Sequence, residues 1–364
     1  MSAPTPRPGI LDIAPYVGGE SKLAGVSRVI KLSSNEGALG PSPKALQAYQ
    51  AAASDIHRYP DGHAVALRAS IGKAYGLDPA RIVCGCGSDE LLQLLVRAYA
   101  GPGDEVLHSR HAFIIYSISA LSCGATPVAA DEVDLTASVD NLLAKVSERT
   151  KLVFLTNPNN PTGTYLPAAE VKRLRDGLPP HVLLVVDAAY AEYVERNDYT
   201  PGVELVDGGD NVVMTRTFSK AYALGGMRVG WAYCPPVIAD VLNRIRGPFS
   251  VSGAALAAAQ AAMEDEDYLA LVKRHNDYWL PWLSDQLAAL GLTVVPSTAN
   301  FLLVRFPEVP GKSAADADAA LRKQGIIVRR VASYDLPDCL RITIGRDDEM
   351  QAVVAALTDF VGGK

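Results

Sequence analysis

Cysteine is scarce in this sequence: five in 364 residues, too few for a disulfide framework. Cys84-Gly85-Cys86 has one intervening residue where redox and zinc pairs typically have two, so the thiols read as reduced and structural. The six histidines include no i,i+4 helical pair and no cluster with cysteine, which argues against a metal site. No stretch approaches 18 uninterrupted apolar residues, and the first nine residues hold no apolar core of signal-peptide length. The cytoplasm is the expected compartment. Charge is modest as well, at 20% of residues, and 40 acidic side chains against 34 basic ones leave a formal charge of −6. That balance excludes a general nucleic-acid surface and a membrane-adhering basic face, so an anionic ligand needs a local basic pocket. Internal repeats and low-complexity tracts are absent.

What is present is an ordinary folding composition, 49% hydrophobic, in a chain long enough for roughly two domains at about 150 residues each. Short apolar runs at residues 81–84, 105–107, 151–155, 182–186, 212–214 and 229–233 alternate with segments of helical spacing. Several are β-branched on successive residues, which suits strands buried on both faces of a mainly parallel, helix-covered sheet. Residues 254–290 are alanine-rich and read as a long helix or helix pair, with the first turn signal at Pro281. Beyond them the pattern predicts a small α+β unit. The first forty residues, broken by Gly18-Gly19 and Gly40-Pro41, are expected to drape over another part of the molecule.

Four strand exits carry the chemistry. Val83-Cys84-Gly85-Cys86-Gly87-Ser88-Asp89-Glu90 leads from a strand into a helix, and Ser88 or Asp89 is placed to cap it. The exit is either a plain turn or a phosphate cradle made by free N–H groups and the helix dipole. It fails as a dinucleotide fingerprint, because Glu90 stands where a third glycine should. Thr156-Asn157-Pro158-Asn159-Asn160-Pro161 holds Asn160 on a turn stiffened by two prolines. Asp187-Ala188-Ala189-Tyr190 puts a carboxylate at the C-terminal end of a parallel strand, where α/β sheets bind ligands. Thr217-Phe218-Ser219-Lys220 sets a lysine among small and aromatic residues, with Arg228 eight positions on. Desolvation there would lower the lysine's pKa and make its amine nucleophilic.

Together these exits resemble the class I/II aminotransferases, fold-type I pyridoxal-phosphate enzymes, from Ile13-Ala14-Pro15-Tyr16 to Leu340-Arg341-Ile342-Thr343-Ile344-Gly345. Within that family the resemblance is strongest to the branch acting on L-histidinol phosphate. It implies an α/β fold: a large domain, 41–245, with a mainly parallel seven-stranded sheet sandwiched by helices, and a small α+β domain from 1–40 and 246–364 with an N-terminal segment covering the substrate. It also implies pyridoxal 5'-phosphate as cofactor, Lys220 as the lysine bonded to it, Asp187 at its ring nitrogen, and Asn160 and Tyr190 at its phenolic oxygen. Ser88, Asp89, Thr217, Ser219 and Arg228 would hold its phosphate, and Phe113 would stack on its ring. Tyr59 would reach the cofactor phosphate of a neighbouring subunit, making a homodimer. Tyr16, Asn35, Asn160, Arg329 and Arg341 are the implied substrate contacts. Transamination between L-histidinol phosphate and 2-oxoglutarate or glutamate is the implied reaction.

The sequence also departs from the family pattern. Asn35-Glu36-Gly37 lacks the usual Asn-Pro after Asn-Glu, His111-Ala112-Phe113 replaces Pro-Thr-Tyr, and Asp187-Ala188 replaces Asp-Glu. An aromatic amino-acid aminotransferase, with Phe113, Tyr16 and Tyr116 lining a phenyl pocket, is the nearest alternative, and dual activity is compatible with both. A threonine-phosphate decarboxylase shares the fold and its need for arginines. A cofactor-dependent transcription regulator would need a DNA-binding domain before the fold, and only about forty residues without basic excess precede it.

Overall fold

The uninterrupted apolar runs become strands because each is covered on both sides. In the computed structural model, which describes residues 4–363 except 17, 24, 26 and 27, a short strand β1 (Ile30–Lys31) precedes helices α1 (Pro43–Ala52) and α2 (Val65–Tyr75). Strands β2 (Ile82–Cys86), β3 (Glu105–Ser109), β4 (Thr126–Ala130), β5 (Thr150–Thr156), β6 (Leu183–Asp187), β7 (Val212–Thr217) and β8 (Val229–Tyr233) form one sheet in the order β2-β8-β7-β6-β5-β3-β4. Only β8 runs antiparallel to its neighbours. Side chains alternate between two cores: Leu184 and Val186 of β6 enter one, Leu183 and Val185 the other, and Val153 and Phe154 of β5 divide in the same way. The intervening helices are α3 (Gly87–Tyr99), α4 (Ile115–Cys123), α5 (Val139–Lys145), α6 (Ala168–Gly177), α7 (Val203–Asp207) and α8 (Pro236–Ile245). Residues of α3, α4 and α8 seal one face; those of α2, α5, α6 and α7 seal the other.

The alanine-rich stretch, expected as a long helix or helix pair, is a helix pair. It forms α9 (Gly253–Met263) and α10 (Glu266–Ala289), and the latter passes through Pro281 without ending. Trp279, Leu283 and Leu287, four residues apart, bury one side of α10 across the proline. The break falls at Asp265, whose carboxylate accepts from Ser42 Oγ and from Lys44 Nζ (2.8 Å for the lysine). Ala255, Ala258, Ala259 and Ala262 of α9 belong to the core of the large sheet.

The second layer contains β9 (Thr293–Val295), β10 (Phe301–Arg305), α11 (Ala314–Lys323), β11 (Ile326–Ile327), β12 (Arg329–Val331), β13 (Leu336–Thr343) and α12 (Asp347–Val361). Four of its strands make an antiparallel sheet, β12-β13-β10-β9, while β11 pairs in parallel with β1. The N-terminal segment thus joins this layer, and Ile30 and Leu32 share its core. Among the described residues, no helix is long and apolar enough to cross a membrane, and no cluster of ligating side chains could hold a metal ion.

Candidate active site

Strands β2, β5, β6 and β7 point the same way, so Cys86, Thr156, Asp187 and Thr217 end on one edge of the sheet. Every residue assigned above to the cofactor or substrate, except Tyr59, lines a single cleft at that edge. Tyr59 stands outside it, 83% exposed and stacked on Phe249 with ring centroids 4.7 Å apart.

At one end lies an anion cradle. Helix α3 starts at Gly87 with Cys86 as its N-cap, so Ser88 and Asp89 occupy the first turn instead of capping it. Gly87 has φ +76°, and a Cβ there would lie 2.4 Å from Arg228 Nη2; a Cβ on Gly230 would lie 2.2 Å from Ser88 N. The two glycines let the helix start, β8 and the guanidinium converge. Arg228 donates to Ser219 Oγ (3.2 Å), Gly225 O (3.0 Å) and Asp89 Oδ2 (3.2 Å). Thr217 Oγ1 accepts from Ser219 N–H at 3.1 Å. A helix N-terminus, two hydroxyls and a guanidinium fit a phosphate group. Gly87→Ala is expected to weaken binding of pyridoxal 5'-phosphate by about tenfold or more, since it adds a clash to a left-handed backbone costing about 1–3 kcal/mol. Spectrophotometric titration of the cofactor-free protein measures this; Gly101, whose added Cβ would touch nothing, supplies the control substitution.

Deeper in the cleft Asp187 is almost fully buried. Its Oδ2 accepts from Tyr116 Oη (2.8 Å) and its Oδ1 from Thr215 Oγ1 (3.2 Å). Burial raises its carboxyl to about 6, an effect that these neutral donors only partly oppose. A cationic ring nitrogen would supply the missing charge, so this carboxylate suits a pyridine cofactor. Tyr116, considered above for a phenyl pocket, lies beneath Asp187. It is fully buried, stacked on Phe154 at 4.3 Å and bonded to Thr156 Oγ1 at 2.6 Å. Its contact with Asp187 was not anticipated from the sequence, although it lies one helical turn after Phe113, which does line the cleft.

Lys220 Nζ reaches the Ser34 carbonyl oxygen at 3.5 Å and lies 5.6 Å from the Tyr190 ring centre. Burial, reinforced by the nearby Arg341 charge, lowers its amine to about 8. Tyr190 accepts from Asn35 Nδ2 (2.9 Å) and packs edge-on against Phe301; burial raises its phenol to about 12. Asn35, an implied substrate contact, lines the cleft and is also tied to protein. Its φ of +54° turns the side chain so that Nδ2 serves Tyr190 while Oδ1 accepts from Thr343 Oγ1 at 3.1 Å. Its visible role is to hold Tyr190.

Arg341 is buried, donating to Asn160 Oδ1 and, at 2.9 Å, to the Ser33 carbonyl. With Oδ1 so used, Asn160 offers its amide N–H groups to a ligand. Arg329 sits directly opposite Arg341 in the β12–β13 register, so both project from the same face of that sheet, and both line the cleft. Arg330, on the other face, is exposed. Tyr16 is 55% exposed at the cleft mouth. Tyr334, not singled out from the sequence, lies beside these arginines.

The profile of the Aminotransferase class I and II family matches residues 27–357. The chain belongs to that family. This aminotransferase is 67% identical, over the whole of both chains, to a protein of Paramagnetospirillum magneticum named histidinol-phosphate aminotransferase, and 60% identical to one of the same name from Rhodospirillum rubrum, covering 99% of this chain and 98% of the other. Its structure is similar to that of histidinol-phosphate aminotransferase from Sinorhizobium meliloti in complex with pyridoxal 5'-phosphate, with a TM-score of 0.90 and 33% identity over 100% and 99% of the two chains. Aspartate aminotransferase from Thermus thermophilus has the same fold, with a TM-score of 0.80 at 19% identity over 91% of each chain. The scaffold alone therefore does not select the amino donor.

Proposed function

We propose that this aminotransferase, with pyridoxal 5'-phosphate as cofactor, moves the amino group of L-histidinol phosphate to 2-oxoglutarate, giving imidazole-acetol phosphate and glutamate in histidine biosynthesis. The observation that carries the substrate reading is the facing pair Arg329 and Arg341 in the cleft of Lys220. Two guanidinium groups suit a phosphate dianion, and Arg341 alone suits glutamate's carboxylate. The 67% full-length identity to a protein named for that reaction supports it.

The bound cofactor supplies a carbonyl for amino exchange and an electron-withdrawing ring that stabilises charge at the donor's Cα. The chain's residues do the rest. Lys220 would hold the cofactor through its amine, and the same amine is placed to move the donor's Cα proton. Asp187, held in place by Tyr116 and Thr215, would pair with the ring nitrogen and favour its protonated form. Tyr190 and Asn160 would hold the ring's phenolic oxygen, Phe113 would cover its face, and the α3 cradle would take its phosphate. Tyr59, exposed and outside its own chain's cleft, supports a homodimer in which it reaches the neighbouring cofactor. The cytoplasm is the expected compartment, in keeping with the absence of spanning helices among the described residues.

The test is a pair of half-reactions on the loaded enzyme. Histidinol phosphate is expected to convert the cofactor to its amino form faster than tyrosine or phenylalanine, and 2-oxoglutarate to restore it. Conversion by the aromatic amino acids alone would defeat the proposal. Release of carbon dioxide from phosphothreonine without amino transfer would replace it with a decarboxylase.

A further inference from the structure

The β12–β13 hairpin brings more than two arginines to the cleft. After Arg329 the register shifts between Arg330 and Val331, and such a bulge re-aims the side chains that follow. The chain then makes a 3₁₀ turn, Ala332–Tyr334, and leaves it through Asp335 in the left-handed conformation, φ 59°. Tyr334 is thereby presented to the same cleft as Lys220, Arg329 and Arg341. Its ring is only 9% exposed and belongs to a small core with Leu303, Val331, Leu336 and Cys339.

That packing calls for a ring but not for a hydroxyl; phenylalanine would fill the same space. Among the described residues none hydrogen-bonds to Tyr334 Oη, and the atom is not one of the buried unpartnered ones. A tyrosine with a sealed ring and an open hydroxyl is a recognition element, because the polar tip finds its partner in what arrives. The tip faces the electrostatic field of Arg341 and Arg329, and burial raises its phenol to about 12. It stays a neutral hydrogen-bond donor at physiological pH.

We propose that Tyr334 is a specificity-determining residue that donates its hydroxyl to the phosphate of the amino donor, separating phosphate substrates from carboxylate ones. The assignment rests on the substrate reading given above. A phosphate monoester presents three terminal oxygens, more than one guanidinium fork can satisfy, whereas the two oxygens of glutamate's α-carboxylate match the single fork of Arg341. A third donor at this end therefore benefits only the phosphate.

Tyr334→Phe keeps the ring and removes the donor. The expected result is a KM for histidinol phosphate raised about tenfold or more, the loss of a hydrogen bond to a charged group, with kcat and the KM for glutamate within about twofold of wild type. Inorganic phosphate, tested as an inhibitor competing with glutamate, should weaken by a similar factor. Unchanged values for both histidinol phosphate and inorganic phosphate would overturn the proposal, and so would a glutamate KM that rises in step. If the wild-type enzyme does not turn over histidinol phosphate, the function reading falls, and phosphate inhibition still decides the role of Tyr334.

Discussion

Lys220→Ala is expected to lower turnover about 10³- to 10⁴-fold or more with either amino donor, because one substitution removes both the covalent tether and the acid–base group, and the second role alone is worth about 10²–10⁴. The fold should survive, since among the described residues the amine makes one protein hydrogen bond, to the Ser34 carbonyl. The same amine predicts a pH profile. An ordinary lysine titrates near 10.5, and this one near 8; at pH 7 the charged to neutral ratio is then about ten to one rather than about three thousand to one. The neutral amine is the form that attacks a carbonyl. Capture of pyridoxal 5'-phosphate by the cofactor-free protein should therefore accelerate close to tenfold per pH unit up to about pH 8 and level off above it. Stopped-flow absorbance follows this directly, and a rate still climbing at pH 10 would show that the amine is not desolvated as described.

Asp187→Asn should separate stability from activity. Burial places the folded-state pKa at about 6 against an ordinary 3.8, so between about pH 4 and 6 the folded chain holds a proton that the unfolded chain has released. Stability of the cofactor-free protein consequently falls as pH rises through that window, by on the order of 3 kcal/mol, and stays at the lower level above it. Asparagine has no charge to bury and keeps an oxygen for Tyr116 and Thr215 to approach. The variant is expected to be more stable than wild type above pH 6 without cofactor, and to lose that advantage below pH 4. Its turnover should fall about 10²- to 10⁴-fold, in line with the roughly 3–5 kcal/mol lost when one partner of a buried charge pair is removed. Denaturant melts across pH 4–8, read beside kcat, test both halves. A variant less stable at every pH would refute the electrostatic account.

The central sheet was legible because burial on both faces leaves a direct mark, consecutive apolar residues, on β5, β6 and β7. The strand exits were legible for a related reason, since Asn160, Asp187 and Lys220 are polar residues set immediately after such runs. The rest depends on contacts that sequence spacing does not encode. Tyr116 meets Asp187 across 71 positions, and nothing in the local sequence of its helix marks that contact. The protein partners of Asn35, Tyr190 and Thr343, lie 155 and 308 residues away, beyond the reach of local pattern. Pro281, the first turn signal in the alanine-rich stretch, does not end α10: local preference disfavours proline there, and burial of Trp279, Leu283 and Leu287 outweighs that preference. Tyr334 owes its place to a bulge and a 3₁₀ turn, short features with no periodicity to reveal them.

The cross-strand register of β12 and β13 gives the cleft a sensitivity to length that composition does not convey. Side chains on a strand alternate between faces, so deleting an uncharged residue beside the bulge, such as Val331, would let the pairing slip by one position, turning Arg330 toward the cleft or leaving neither arginine opposite Arg341. All the basic residues would still be there, and the formal charge of −6 need not change. Yet the second positive charge could leave the cleft. In this hairpin, the spacing of the residues is as much a determinant of substrate charge as their identity.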